Sequence, residues 1–242
     1  MMTAAEIKFV KSLSQKKFRD SSGLFVAEGE KLVAEALSSR FEVEKVYRKE
    51  DIGEAAMARI TGLSSPSPAL ALVRRPEDFS KAEVPEKGLF LALDGIRDPG
   101  NLGTILRIAD WFGIDAVFCS PDTVDCFNPK VVQATMGAIF RVRIHYTDIP
   151  ALCKGVTARS GRVYGTFLDG ENFYGKDLSN GVEAPSVIVI GNEAGGITEK
   201  TAVCVTDRLY IPPFPPDDAG SESLNAAVAT AITVAEFRRR LN

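Results

Sequence analysis

Downstream of residue 88 the chain alternates between two hydrophobic patterns. A continuous apolar run at residues 89–93 and similar largely apolar runs at 116–119, 163–168 and 187–190, with a shorter one at 209–211, predict strands covered on both faces, as in a parallel sheet. Between them, residues 102–112 and 130–140 carry apolar positions three and four apart, and a last helix is predicted over 223–240. This alternation predicts an α/β fold built on a parallel sheet.

The first 75 residues read as a smaller α/β unit. A helix is predicted over 5–20 with Ile7, Val10 and Leu13 on its apolar side, a strand over 23–27 and a helix over 30–37. A strand over 43–47, a short helix over 54–61 and a strand over 69–73 follow. Residues 76–87 are charged, hold two prolines and lack an apolar face, so they are read as a linker. The expected organisation is therefore a domain over 1–75, a linker over 76–87 and a larger domain over 88–242.

With 45% hydrophobic and 25% charged residues in 242, the chain has the composition of a folded protein. The net charge of -3 gives no support to a protein whose sole task is to coat nucleic acid. Local charge changes that picture. Lys8, Lys11, Lys16, Lys17 and Arg19 fall in one stretch without an acid, and Arg238, Arg239 and Arg240 end the chain's last helix. Either cluster reads equally as a solvated surface or as a phosphate contact.

Four cysteines without a C-x-x-C pair, beside the single His145, argue against a zinc site and suit small buried hydrophobes in a reducing compartment. No signal-peptide pattern opens the chain, and no apolar run approaches the ~18–20 residues that span a bilayer. A cytoplasmic protein without a membrane partner is expected.

Three segments carry candidate chemistry. The first runs from Asp94 to Arg107, a strand end, a Gly/Pro turn and a helix start. Arg107 lies four residues after Gly103 on the same helix face, where the missing side chain clears space for a phosphate or carboxylate. The second runs from Val187 to Ile197, a buried strand leading into a loop with Gly191, Asn192, Glu193, Gly195 and Gly196. Carboxyl ends of parallel strands are where open α/β sheets bind ligands, and Glu193 is suited to a hydroxyl partner. The third runs from Ile211 through a proline-rich loop to Ser223, Leu224 and Asn225, where Ser223 or Asn225 also suits a plain helix cap. No G-x-G-x-x-G fingerprint and no G-x-S-x-G elbow occur, so dinucleotide binding and serine hydrolysis are set aside.

Taken in order, these segments resemble the three motifs of the SpoU (TrmH) RNA 2′-O-ribose methyltransferases of the SPOUT superfamily. They are N-x-G-x-x-x-R from Asn101 to Arg107, G-N-E-x-x-G from Gly191 to Gly196, and the run that ends at Ser223-Leu224-Asn225. The segment from Asn128 to Val142 is also similar to the family, with Thr135 where many relatives have serine. The stretch from Phe25 to Val33 resembles the family's small RNA-substrate-binding domain.

The resemblance implies an α/β methyltransferase domain with a C-terminal trefoil knot, a homodimer, and S-adenosylmethionine as methyl donor without a metal. It implies that backbone groups of Gly191, Ile211 and Leu224, with Thr166, hold the cofactor, that Arg107 is catalytic, and that Asn101, Glu193, Ser223 and Asn225 position the ribose hydroxyl. Ribosomal RNA is favoured over transfer RNA as the substrate, because the N-terminal domain resembles that of ribosomal RNA members. Arginine stays protonated in proteins, so Arg107 either passes a proton by way of a substrate phosphate or only clamps that phosphate. The rival readings are a non-catalytic RNA-binding protein that keeps the fold, a nucleotide-binding enzyme of another class, and methylation of a base.

Overall fold

The computed structural model describes residues 2–76, 83–84, 86–178, 183–215 and 223–241. Most of the expected linker and residues 216–222 of the proline-rich loop lie outside the described residues. The chain folds as two units, one of residues 1–78 with 125–141 and one of 79–124 with 142–242. The chain thus enters the first unit twice, and the segment 125–141 belongs with it.

In the first unit, β1 (Leu24–Glu28), β2 (Val43–Arg48) and β3 (Ala69–Arg74) form an antiparallel sheet in the order β1-β3-β2. Around it lie α1 (Ala4–Ser12), α2 (Lys16–Ser22), α3 (Glu30–Ser38), α4 (Lys49–Ile52) and α5 (Glu54–Ile60). Ile7, Val10, Leu13, Met57 and Ile60 pack with Leu24, Val26, Leu70 and Leu72 in one core. The single helix expected over 5–20 is two helices. The carbonyls of Leu13 and Ser14, freed at the break, accept hydrogen bonds from the Arg19 guanidinium at 2.8 and 3.0 Å.

The helix expected over 130–140 is shorter as well. Its α7 (Pro129–Thr135) stops at Met136 (φ 52°) and Gly137 (φ 102°), two left-handed residues, before one 3-10 turn at Ala138–Phe140. Left-handed backbone cannot continue a right-handed helix.

The second unit carries six parallel strands. They are β4 (Gly88–Asp94), β5 (Ala116–Cys119), β6 (Ile144–Tyr146), β7 (Arg162–Asn172), β8 (Pro185–Gly191) and β9 (Asp207–Tyr210), in the order β6-β5-β4-β8-β7-β9. The intervening helices are α6 (Pro99–Trp111), α8 (Ile149–Ala158), α9 (Glu199–Ala202) and α10 (Ala226–Leu241). The central strands β4 and β8 are buried along nearly their whole length, which explains their unbroken apolar runs. On one face of the sheet, Phe90, Ala92, Val187 and Val189 pack against Ile149, Leu152, Cys153 and Val156 of α8.

Strand β6 and helix α8 went unpredicted. Strand β6 has three residues, too few for a run, while α8 begins at an Asp148 cap followed by Ile149-Pro150. Strand β7 runs past the expected residue 168 because Thr166 and Glu171 both face Leu209, with the residues between them looped out. Gly170 permits this return, since a Cβ there would stand 2.6 Å from the Leu209 carbonyl carbon.

Candidate functional site

The carboxyl ends of β4, β8, β7 and β9 meet along one edge of the parallel sheet, and the motif residues gather there. Asp94 ends β4 directly opposite Gly191, which ends β8. Asp94 is buried and accepts hydrogen bonds from the Thr198 amide and hydroxyl, both at 2.8 Å, which ties down the far side of the glycine loop. The loop itself turns on Asn192. Its side chain donates to the Gly95 carbonyl at 2.8 Å and accepts from the amides of Ala194 and Gly195 at 2.7 and 3.2 Å. Its backbone exchanges hydrogen bonds with Gly196 at 3.0 and 2.8 Å.

This tight loop explains the glycines. A Cβ on Gly191 would lie 2.2 Å from the Gly196 carbonyl carbon and 2.3 Å from the Ile197 nitrogen, both backbone atoms that cannot swing aside. Gly196 has φ +65°, which a side chain disfavours.

The first motif begins at an Asp98 cap, whose carboxylate accepts from the Asn101 amide at 2.8 Å, with Pro99 in the first turn. Leu102, Gly103, Ile105, Leu106 and Ala109 bury one face of α6. That orientation leaves Arg107 exposed, and among the described residues no hydrogen-bond or ion-pair partner engages it.

Three motif residues touch. The Asn101 side-chain amide donates to the Glu193 carboxylate, and the Asn225 side-chain amide donates to the Asn101 carbonyl oxygen at 2.9 Å. The relay Glu193–Asn101–Asn225 thus joins Asn101 to two segments more than 90 residues away in sequence. Asn225 also caps α10, its oxygen accepting from the amides of Ala227 and Val228 at 2.9 and 3.3 Å. The helix-cap reading of Asn225 holds, and the same side chain also reaches Asn101. Ser223 and Leu224 precede it and are exposed.

Of the expected cofactor residues, Thr166 is on β7, Gly191 ends β8 and Ile211 directly follows β9, so three neighbouring strands present them at one edge. The Thr166 hydroxyl donates only weakly, at 3.5 Å, to the Val189 carbonyl. Backbone groups on a close-packed glycine loop, one hydroxyl, and the apolar Ile211 and Leu224 make a donor set without a cation. Such a set suits an uncharged adenosyl group and places no side-chain cation opposite a diphosphate. Among the described residues no three His, Cys, Asp or Glu side chains group as metal ligands. Cys153 sits in the core, and burial pushes its thiol up to about 12.

Sequence reasoning did not assign roles to Asp94, Asp98 or Asn192. The Asp-Pro pair at 98–99 is a legible cap signal, whereas the tie from Asp94 to Thr198 depends on a contact 104 residues away. A groove of about 340 Å³, lined in part by Lys87, Phe90, Asp115, Phe118, Arg143 and His145, opens toward the amino ends of β4 and β5 and includes no motif residue.

The basic clusters are corrected in part. Arg19 is not a surface cation. It is 2% exposed and forms a two-pronged ion pair with Asp125 at 3.0 and 2.6 Å, so no phosphate can reach it. Lys16 pairs with Asp20 at 2.7 Å, and the Lys17 ammonium lies 4.8 Å from the centre of the Phe18 ring. Lys8 and Lys11 are exposed. Arg238 and Arg240 point at backbone carbonyls, and Arg239 pairs with Glu236.

Comparison with known proteins agrees with this geometry. Residues 88–235 match the model of the SpoU rRNA Methylase family, and residues 4–71 match that of an MRM3-like substrate binding domain. The chain is 31% identical over 96% of both chains to the 23S rRNA (guanosine(2553)-2'-O)-methyltransferase RlmP of Bacillus subtilis. Its structure superposes on a TrmH-family protein from Porphyromonas gingivalis with TM-score 0.87, 37% identity and 99% coverage of each chain. It superposes on an S-adenosylmethionine-bound rRNA methyltransferase from Sinorhizobium meliloti with TM-score 0.82 and 29% identity, covering 100% of this chain and 97% of that one. A strand-edge site assembled from the family's three motifs, on a fold shared along the whole chain, leads to one conclusion: the chain belongs to the SpoU rRNA methylase family.

Proposed function

We propose that this protein transfers a methyl group from S-adenosylmethionine to a ribose 2′-hydroxyl of ribosomal RNA. The observation that carries the reading is the relay Glu193–Asn101–Asn225, which draws all three motifs to the carboxyl edge of the sheet beside a helix whose Arg107 meets no partner among the described residues. S-adenosylmethionine, when bound, supplies a methyl carbon already activated by its sulfonium. The chain's residues then have to hold the cofactor, present the hydroxyl in line and manage its proton. Thr166, Gly191, Ile211 and Leu224 would hold the cofactor at the strand ends.

Arg107 is exposed on α6 and lacks a protein partner among the described residues, which suits a clamp on a substrate phosphate. Its charge beside the hydroxyl lowers the hydroxyl's pKa, and the proton leaves to the substrate phosphate or to water, without the arginine acting as a base. Asn101, Glu193, Ser223 and Asn225 would orient the ribose.

Residues 1–75 serve as the RNA-substrate-binding domain in this reading, with Lys8, Lys11, Lys16 and Lys17 as the remaining phosphate contacts. The family supports a homodimer, a C-terminal trefoil knot and a place in the cytoplasm. Among the described residues no helix is long and apolar enough to cross a membrane.

The test is transfer of radiolabelled methyl from S-adenosylmethionine to total RNA from a strain lacking the gene, with Arg107→Ala alongside. Label in ribosomal RNA, recovered as a 2′-O-methyl nucleoside and absent with Arg107→Ala, is expected. Label on a base would overturn the ribose assignment, and neither label nor cofactor binding would leave a non-catalytic RNA-binding protein.

A further inference from the structure

Helices α6 and α10 are joined at both ends. At their starts, Asn225 donates to Asn101 at 2.9 Å. At their far ends, the Arg238 guanidinium donates from Nε to the Phe112 carbonyl at 2.7 Å and from Nη2 to the Gly113 carbonyl. Start meets start and end meets end, so the helices run parallel, and they pack along their length.

The lengths are compatible with such a double clasp. At about 1.5 Å per residue, Asn101 to Phe112 spans about 17 Å and Asn225 to Arg238 about 20 Å. Helical side chains lean toward their own N-terminus, so the longer arm reaches back to the shorter one. The bonds at Phe112 and Gly113 also satisfy carbonyls at the end of α6, where a cation is favoured.

Sliding α10 along α6 would break the Arg238 bonds and carry Asn225 away from Asn101. The other polar contacts at this end of α10 hold it to itself or to the turn after β7, and Arg238 is the one that ties it to α6 among the described residues. Arg239 and Arg240 pair with Glu236 on α10 itself, and Arg240 also donates to carbonyls of Phe173, Tyr174 and Lys176, in a turn away from α6.

We propose that Arg238 is a positioning residue for methyl transfer, fixing the axial register of α10 on α6 so that Asn225 meets Asn101 at the reacting end. The proposal rests on the methyl-transfer reading above. It concerns a residue outside the three motifs that acts some 20 Å from the site by geometry alone.

The experiment compares Arg238→Met, Arg238→Lys and Asn225→Asp in the full-length protein. Asn225→Asp keeps the oxygen that caps α10 but removes the donor to Asn101. With Arg238→Met, kcat for methyl transfer to ribosomal RNA falls on the order of 10- to 100-fold, while the KM for S-adenosylmethionine changes far less. Arg238→Lys, which can reach one carbonyl, recovers part of the rate. The Arg238→Met/Asn225→Asp double variant is no slower than the slower single variant, because both act through one contact. Unchanged kcat in Arg238→Met, or multiplicative losses in the double variant, would overturn the proposal.

A double-variant cycle on unfolding free energy reads the register without turnover. A combined loss in Arg238→Met/Asn225→Asp smaller than the sum of the single losses supports the proposal, and additive losses overturn it. Failure of the unmodified protein to transfer methyl would strike the reaction and leave this stability result standing.

Discussion

The two units each hold an arginine on a helix, and the two arginines do opposite things. Arg19 in the first unit is 2% exposed and spends its guanidinium on Asp125 and on the carbonyls of Leu13 and Ser14. Arg107 in the second is exposed and unengaged among the described residues. Burying a charge is tolerated only when partners replace water, so Arg19 has to be saturated by the protein itself. An arginine left in water on the exposed side of a helix keeps its donors for a ligand. The basic stretch in sequence therefore marks structure at Arg19, while the motif arginine, Arg107, is left open to a ligand.

Swapping each arginine out separates these roles most sharply. Arg107→Ala is expected to remove methyl transfer while the melting temperature and cofactor affinity stay near those of the unmodified protein. Arg19→Ala leaves the mostly covered Asp125 carboxylate without its arginine and is expected to cost about 3 kcal/mol, read by urea denaturation. Comparable destabilisation in the two variants would break the contrast.

The glycines sharpen the same comparison. Gly191→Ala in the second unit forces a Cβ into the backbone of Gly196 and Ile197 and is expected to weaken S-adenosylmethionine binding by on the order of 100-fold in calorimetry. In the first unit the neighbours Met136 and Gly137 both have positive φ, so substitutions there should move stability in opposite directions. Gly137→Ala is expected to lose about 1–2 kcal/mol and Met136→Gly to gain up to about 1 kcal/mol. Equal signs would mean that packing around the turn outweighs backbone strain.

The smallest effect concerns pH. Hydrogen bonds from Arg239 and Arg240 hold the Glu236 carboxyl down at about 2, against an ordinary 4.5. A lowered folded-state pKa contributes stability above about pH 4.5 that is lost as the pH falls toward 2. The melting-temperature gap between the unmodified protein and Glu236→Gln should therefore shrink over that interval, and a constant gap would sink the assignment.

Much of the second unit was legible because its strands are covered on both faces. The run at 116–119 coincides with β5, and those at 89–93 and 187–190 lie inside β4 and β8. The three motifs, read from residue types and order, meet at one strand edge. Strand β6 escaped because three residues at a sheet edge make no run, and the split of the first helix escaped because its cause is Arg19 reaching back to Leu13 and Ser14. The membership of 125–141 in the first unit was equally hidden, since nothing local distinguishes a helix that packs there.

The sequence by itself determined the α/β class, the positions of most strands, the glycine loop and the identity of the motif residues, because periodicity, left-handed glycines and caps are local properties of the chain. Only the tertiary structure decided which charges are engaged and which are free, that Asn225 is both cap and relay member, and that Arg238 clasps α6. These depend on pairs such as Arg19 with Asp125, Asn101 with Asn225 and Arg238 with Phe112, each more than 100 residues apart, whose meeting is set by how packed elements bring distant backbone together.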